Sequence, residues 1–198
     1  MTKIGMTRGY GLFENFLTKR RAKIANKLIP QNLRYGKILD IGCGVVPYFL
    51  ITTKFKEKYG IDPSIKNFNS KENIILKKFD IEKNSKLSFK YDSFDVVTML
   101  AVLEHIEPDK LVNIFKEIRR VLKPNGRFIL TTPCSWTNKL LSFMAGLKLV
   151  SPKEIEEHKG SYNQISIIHY FDEAEFERKK MNFGYFEHFL NIWAYVDK

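Results

Sequence analysis

The sequence predicts an α/β fold, a three-layer α-β-α sandwich around a mostly parallel seven-stranded sheet that closes with a C-terminal antiparallel hairpin. Three observations predict it. Short apolar runs alternate with stretches of helical periodicity. Two glycines, Gly42 and Gly44, follow the first such run. Two further apolar runs, separated by only a few residues, end the chain. Strands alternating with helices favour a parallel sheet covered on both faces.

Each element has its own reason. Residues 13–29 carry Phe13, Phe16, Leu17, Ile24 and Leu28 at helical spacing and stop at Pro30. Lys37–Ile41 is a short apolar run before glycines, hence a buried strand. Tyr48–Phe55 reads as a helix after Pro47, proline being favoured in a first turn. Tyr59–Ile61, Asn73–Phe79 and Phe94–Thr98 read as the next three strands, with room for a short helix between the first two. Asp109–Leu122 is amphipathic, with Leu111, Phe115, Ile118 and Leu122 on one face and Lys116, Glu117 and Arg120 away from it. It ends at Lys123-Pro124-Asn125-Gly126. Phe128–Thr132 is a fifth strand. Lys139–Leu149 and Asp172–Met181 read as helices. Tyr185–Phe189 and Ile192–Val196 form the closing hairpin, with aromatic residues expected in the core.

The 198 residues, 44% of them hydrophobic, suit one domain spanning 1–198. Cys43 and Cys134 suggest neither a disulfide framework nor a zinc site, so a reducing, cytoplasmic compartment is expected. No apolar run reaches membrane-span length. The formal charge of +11 would attract anions, RNA among them, but the basic residues are scattered rather than grouped in a tail.

Ligands of such sheets sit at the carboxyl ends of the strands, near the topological switch point. The first strand runs into Asp40-Ile41-Gly42-Cys43-Gly44, where paired glycines permit a sharp turn and close approach to a ligand. The second runs into Gly60-Ile61-Asp62, whose acid can accept from both hydroxyls of a ribose. The third ends at Phe79-Asp80-Ile81, an acid and an apolar cover suited to adenine. An acid or a glycine turn after three successive strands forms a pattern that no single one of them makes.

These segments, with Leu87–Val97, Val102-Leu103-Glu104-His105-Ile106 and Leu122–Pro133, resemble the class I, Rossmann-like, S-adenosylmethionine-dependent methyltransferases of the small-molecule type. The resemblance is close over residues 36–132 and looser over 168–196. It implies S-adenosylmethionine as cofactor. Asp40, Gly42, Cys43 and Gly44 would border its methionine part, Asp62 the ribose, and Pro63, Asp80 and Ile81 the adenine. Met99 and Leu100 would offer backbone beside the sulfonium, and His105 would face the acceptor. The family often has another glycine where this chain has Val46. A nicotinamide-dependent dehydrogenase would need a third glycine where Pro47 stands. Thr98-Met99-Leu100-Ala101 lacks the Pro-Pro-aromatic motif of enzymes that methylate nucleic-acid amino groups.

The acceptor is expected to be a small molecule, with RNA or a non-catalytic binding role as alternatives. His105, His158 and His169 are the candidate bases, and no metal is expected. Residues 134–170 are too long for a plain connection and read as a substrate cap. The oligomeric state is not encoded in any motif.

Overall fold

The computed structural model describes residues 12–65, 73–84, 86–137 and 159–198. Its strands are β1 (Lys37–Ile41), β2 (Glu57–Asp62), β3 (Ile74–Lys78), β4 (Phe94–Leu100), β5 (Leu122–Pro133), β6 (Met181–Phe186) and β7 (Asn191–Asp197). They form one sheet in the order β3-β2-β1-β4-β5-β7-β6. Strands β3 to β5 in that order pair in parallel, while β7 is antiparallel to both β5 and β6. The chain leaves β1 toward β2 on one side and later returns to β4 on the other. The switch point therefore lies between β1 and β4, beside the glycine turn.

Side-chain alternation shows why both faces are covered. Ile38, Val96 and Ile129 point to one face, where Ala22 and Ala25 of α1 (Leu12–Leu28) and Phe49 and Leu50 of α2 (Tyr48–Thr52) bury them. Leu39, Val97, Phe128 and Leu130 point to the other, against α3 (Pro108–Val121) and α4 (Gln164–Glu173). Strands buried on both faces read as near-continuous apolar runs, as β1 and β4 do.

The α3 helix follows its sequence signals. Proline occupies its first turn, Asp109 lies at the positive end of the dipole, and Arg119 and Arg120 lie at the negative end. The segment Lys123–Gly126 makes the register shift between Phe94↔Leu122 and Val96↔Arg127, with Asn125 at φ +63°. The turn read from proline and glycine thus sits inside the span of β5.

Three expectations need correction. The helix expected over Asp172–Met181 lies earlier, at Gln164–Glu173. A reciprocal cap fixes its start: the Ser166 amide donates to Asn163 Oδ1 (2.9 Å) and the Asn163 amide donates to Ser166 Oγ (3.0 Å). Burial of Ile167 and Phe171 fixes its face, and Glu175 at φ +63° lies beyond its end. The sixth strand is consequently Met181–Phe186 rather than Tyr185–Phe189, whose last three residues all have positive φ. The hairpin aromatics are not all core: Phe186 is buried, but Tyr185 and Phe189 are exposed and pack on each other. Glu117 and Arg120 lie off the buried stripe of α3 and reach the segment that precedes β4. Arg120 bonds Glu117 and the carbonyls of Leu87 and Phe89, and Glu117 accepts from the Leu87 amide. The expected helix Lys139–Leu149 lies outside the described residues.

Candidate active site

The site is built from the turn after β1. Gly42 and Gly44 have φ of +73° and +75°, a region that L side chains adopt at a cost. A methyl on Gly42 would stand 2.3 Å from Val102 Cγ2. Around Gly44 the nearest atom to such a methyl is the Val46 carbonyl oxygen at 3.9 Å, so the turn presents bare backbone to open space. The Gly42 amide donates to the Ile61 carbonyl at 2.8 Å, tying the turn to the end of β2.

Asp62 completes that tie. Its Oδ2 accepts from the Gly44 amide (3.1 Å) and its Oδ1 from the Ser64 amide (2.7 Å). Asp40 lies one strand over, also buried, and its Oδ1 accepts from Thr98 Oγ1 at 2.6 Å. Burial pushes the Asp40 carboxyl up to about 7; the Thr98 hydrogen bond opposes this and the nearby Asp62 charge adds to it. Cys43 is buried beside Gly60, and burial pushes its thiol up. Its chemistry is that of a small apolar group rather than a thiolate.

A recess of about 660 Å³ opens at the ends of β2 and β3. Pro63, Phe79 and Asp80 line it together with Lys77, Lys78, Lys83, Asn84 and Ser88. Asp80 Oδ1 accepts from the Glu82 and Lys83 amides, so its first task is to hold the turn after β3. Ile81 is buried and packs into the core below. The Phe79 amide donates to the Asp62 carbonyl, joining this edge to the end of β2.

At the end of β4, Met99 is fully buried and Leu100 is partly buried. Ala101 then takes φ +58°, and its amide donates to the Thr131 carbonyl. His105 follows in a short 3₁₀ turn, Leu103–His105, and is partly exposed. His169 is not ahead of a helix but within α4, exposed, with its ring against Tyr170. His158 lies outside the described residues, as does most of the expected 134–170 cap. Among the described residues no group of three or more His, Cys, Asp or Glu is placed to hold a metal ion.

Sequence reasoning missed several residues here. Thr98 is invisible as a partner until the parallel register sets it opposite Asp40. Glu104 stood within a quoted motif with no role of its own, yet it is 3% exposed and accepts from Thr132 Oγ1 at 3.1 Å. Tyr162, bridged to Cys134 at the end of β5, carries no sequence signal of its own within the expected 134–170 cap. A charged residue within an otherwise apolar turn was the available signal for Glu104.

Residues 39–130 match the methyltransferase domain family model. An uncharacterised protein of Methanocaldococcus jannaschii is 33% identical over 105 residues, which cover 50% of this chain but only 41% of that protein. Among solved structures, an S-adenosylmethionine-dependent methyltransferase of Mesorhizobium loti superposes with a TM-score of 0.67 at 14% identity, covering 92% of this chain and all of that one. One of Thermotoga maritima gives 0.67 at 16% identity, with 94% and 91% covered. One of Archaeoglobus fulgidus gives 0.64 at 14%, with 93% and 94% covered. At such identities these structures speak to the fold. Residues 39–130 therefore resemble a methyltransferase domain, and the chain shares the Rossmann-like fold of these class I methyltransferases.

Proposed function

We propose that the chain transfers the methyl group of S-adenosylmethionine to a small-molecule acceptor. The observation that carries this reading is the clamp between Asp62 and Gly44, which holds the positive-φ Gly44 as bare backbone facing open space. Gly42, Cys43 and Gly44 would border the methionine part with Asp40 beneath them. Asp62 would accept from the ribose hydroxyls, and Pro63, Asp80 and Ile81 would flank the adenine at the recess. The cofactor supplies an activated methyl group on a sulfonium, so the protein's work is placement. Alignment of acceptor and donor can contribute about 7–11 kcal/mol of the barrier.

The chain's residues would do this by orientation and exclusion of water. The backbone of Met99 and Leu100 would lie beside the reacting end, where Ala101 turns the chain sharply. His105, at that edge, is the described histidine best placed to take a proton from an acceptor. His158 and residues 134–170 are assigned the role of an acceptor cap.

A small acceptor fits better than RNA. The buried charged group near the ends of β4 and β5 is Glu104, which would repel a phosphodiester. The lysines of the recess, Lys77, Lys78 and Lys83, lie at the opposite, β2–β3 side. Titration calorimetry with S-adenosylmethionine tests the cofactor reading. Micromolar binding that Asp62→Ala abolishes is expected; no binding by the native chain would overturn it. Steeply salt-dependent RNA binding that competes with methyl transfer would move the acceptor to RNA.

A further inference from the structure

The carboxylate of Glu104 is buried, and its hydrogen-bond partner is the Thr132 hydroxyl. Among the described residues no lysine or arginine pairs with it. Lys159 is the instructive case: its amide donates to the Glu104 carbonyl oxygen at 2.8 Å, yet its ammonium goes to Glu82 (2.8 Å) and Glu107 (3.4 Å) instead. Buried carboxylates normally have a cationic partner or several donors, because the charge is costly to desolvate.

A second observation lies beside the first. The Tyr162 side chain is 98% buried by its 2% exposure, and its hydroxyl has no hydrogen-bond partner. The hydroxyl lies over Gly160: a methyl there would stand 2.0 Å from Tyr162 Oη. The Gly160 amide in turn donates to the Glu104 backbone carbonyl oxygen, and the Tyr162 phenol, pushed up chiefly by burial, also feels the Glu104 charge, so the phenol and the acid are neighbours. Tyr162 is not loosely placed. Its carbonyl accepts from the Ser135 amide at 2.9 Å, and its ring packs edge-on against Tyr170. A buried hydroxyl without a partner is costly, so this corner holds a phenol that lacks a hydrogen-bond partner and a carboxylate that lacks a countercharge among the described residues.

We propose that Glu104, Thr132 and Tyr162 form the acceptor-binding recess, and that it takes a cationic nitrogen group, an alkylammonium or a guanidinium. The assignment rests on the methyl-transfer reading for its position, since these residues follow the carboxyl ends of β4 and β5. An ammonium donates to Glu104 and places a further N–H toward the Tyr162 oxygen. Both unmet groups are satisfied at once. A neutral alcohol satisfies the hydroxyl but leaves the carboxylate without a countercharge, and a carboxylic acid is repelled. The recess therefore selects amines against alcohols of the same carbon skeleton.

The test uses the full chain saturated with S-adenosylhomocysteine and a series of alkylamines, aralkylamines and alkylguanidines, each paired with its matched alcohol. Melting temperature and calorimetry are read for the native chain, Glu104→Gln and Tyr162→Phe. Amines should raise the melting temperature and alcohols should not. Glu104→Gln should weaken the binding amine at least tenfold while leaving S-adenosylhomocysteine affinity unchanged, and Tyr162→Phe should weaken it severalfold. Without any amine, Glu104→Gln should melt higher than the native chain, because glutamine still accepts from Thr132 but carries no buried charge. A purely structural glutamate would give the opposite shift. The proposal is overturned if no amine outperforms its alcohol, or if Glu104→Gln melts lower and keeps the amine response. Failure of S-adenosylhomocysteine itself to bind would instead sink the cofactor reading.

Discussion

The Gly44 amide donates to Asp62 Oδ2 across 3.1 Å, linking the turn after β1 to the end of β2. One side chain thereby shapes the loop and occupies the position from which a ribose would be held. The two roles can be separated by substitution. Asp62→Ala removes both acceptors and should lower stability by about 1–3 kcal/mol, since the Gly44 and Ser64 amides lose their partner. Asp62→Asn keeps one carbonyl acceptor and should retain most of the stability. Both should weaken S-adenosylmethionine at least tenfold in titration calorimetry. Native-like affinity in Asp62→Asn would show that the charge is not used.

Gly42 is constrained twice, by its φ of +73° and by Val102. A β-carbon in the left-handed region costs about 1–2 kcal/mol before any clash is counted. Gly42→Ala should therefore destabilise the chain by at least that much in chemical denaturation. Adding Val102→Ala should recover the steric part and leave the backbone part. Full recovery in the double variant would mean that the turn tolerates alanine and that only packing excluded it.

The buried face of Arg120 offers a test of the segment 87–91. Its guanidinium bonds Glu117 and two carbonyls of that segment, and both side chains of the pair are less than one-fifth exposed. Removing one partner of such a pair leaves a half-buried charge, so Arg120→Ala should cost about 2–4 kcal/mol. Hydrogen exchange at the Leu87 amide, which donates to Glu117, should accelerate in step. Unchanged protection at Leu87 would show that the segment is held by Leu87 and Phe89 packing alone.

These cases mark what the sequence could reveal. Strands β1 and β4 and the glycine turn were legible because two-sided burial writes itself as apolar runs and a sharp turn demands glycine. The positions of Asp40 and Asp62 followed from the ends of β1 and β2. The partners of Arg120 and Glu117 were not legible because they lie about thirty residues away in a loop, beyond the reach of helical periodicity. The α4 start was written locally, in Asn163 and Ser166, but the apolar run Ile165–Phe171 has no charged stripe to give its period away. Glu104 and Thr132 meet only because β4 and β5 are neighbours. Pairs made by register are the part of a site that a single sequence conceals.

Asp40 carries the pH dependence. Its folded carboxyl is pushed up to about 7, whereas an unfolded aspartate titrates near ~3.9. Between those values the folded chain binds more protons than the unfolded one, so this group makes stability fall as pH rises from about 4 to about 7, with no further change above. Cofactor binding should run the other way. The ammonium and sulfonium of S-adenosylmethionine favour the ionised carboxylate, so affinity should rise through pH 7 and level off above it, approaching tenfold per unit on the acid side. Binding at pH 6.5 should release protons, seen as a dependence of calorimetric heat on the buffer's ionisation enthalpy. Asp40→Asn keeps the acceptor for Thr98 Oγ1 and removes the titration. It should melt higher than the native chain at pH 8, bind the cofactor more weakly there, and show a flat affinity profile from pH 6 to 8. A native-like slope in Asp40→Asn would assign the titration to another group.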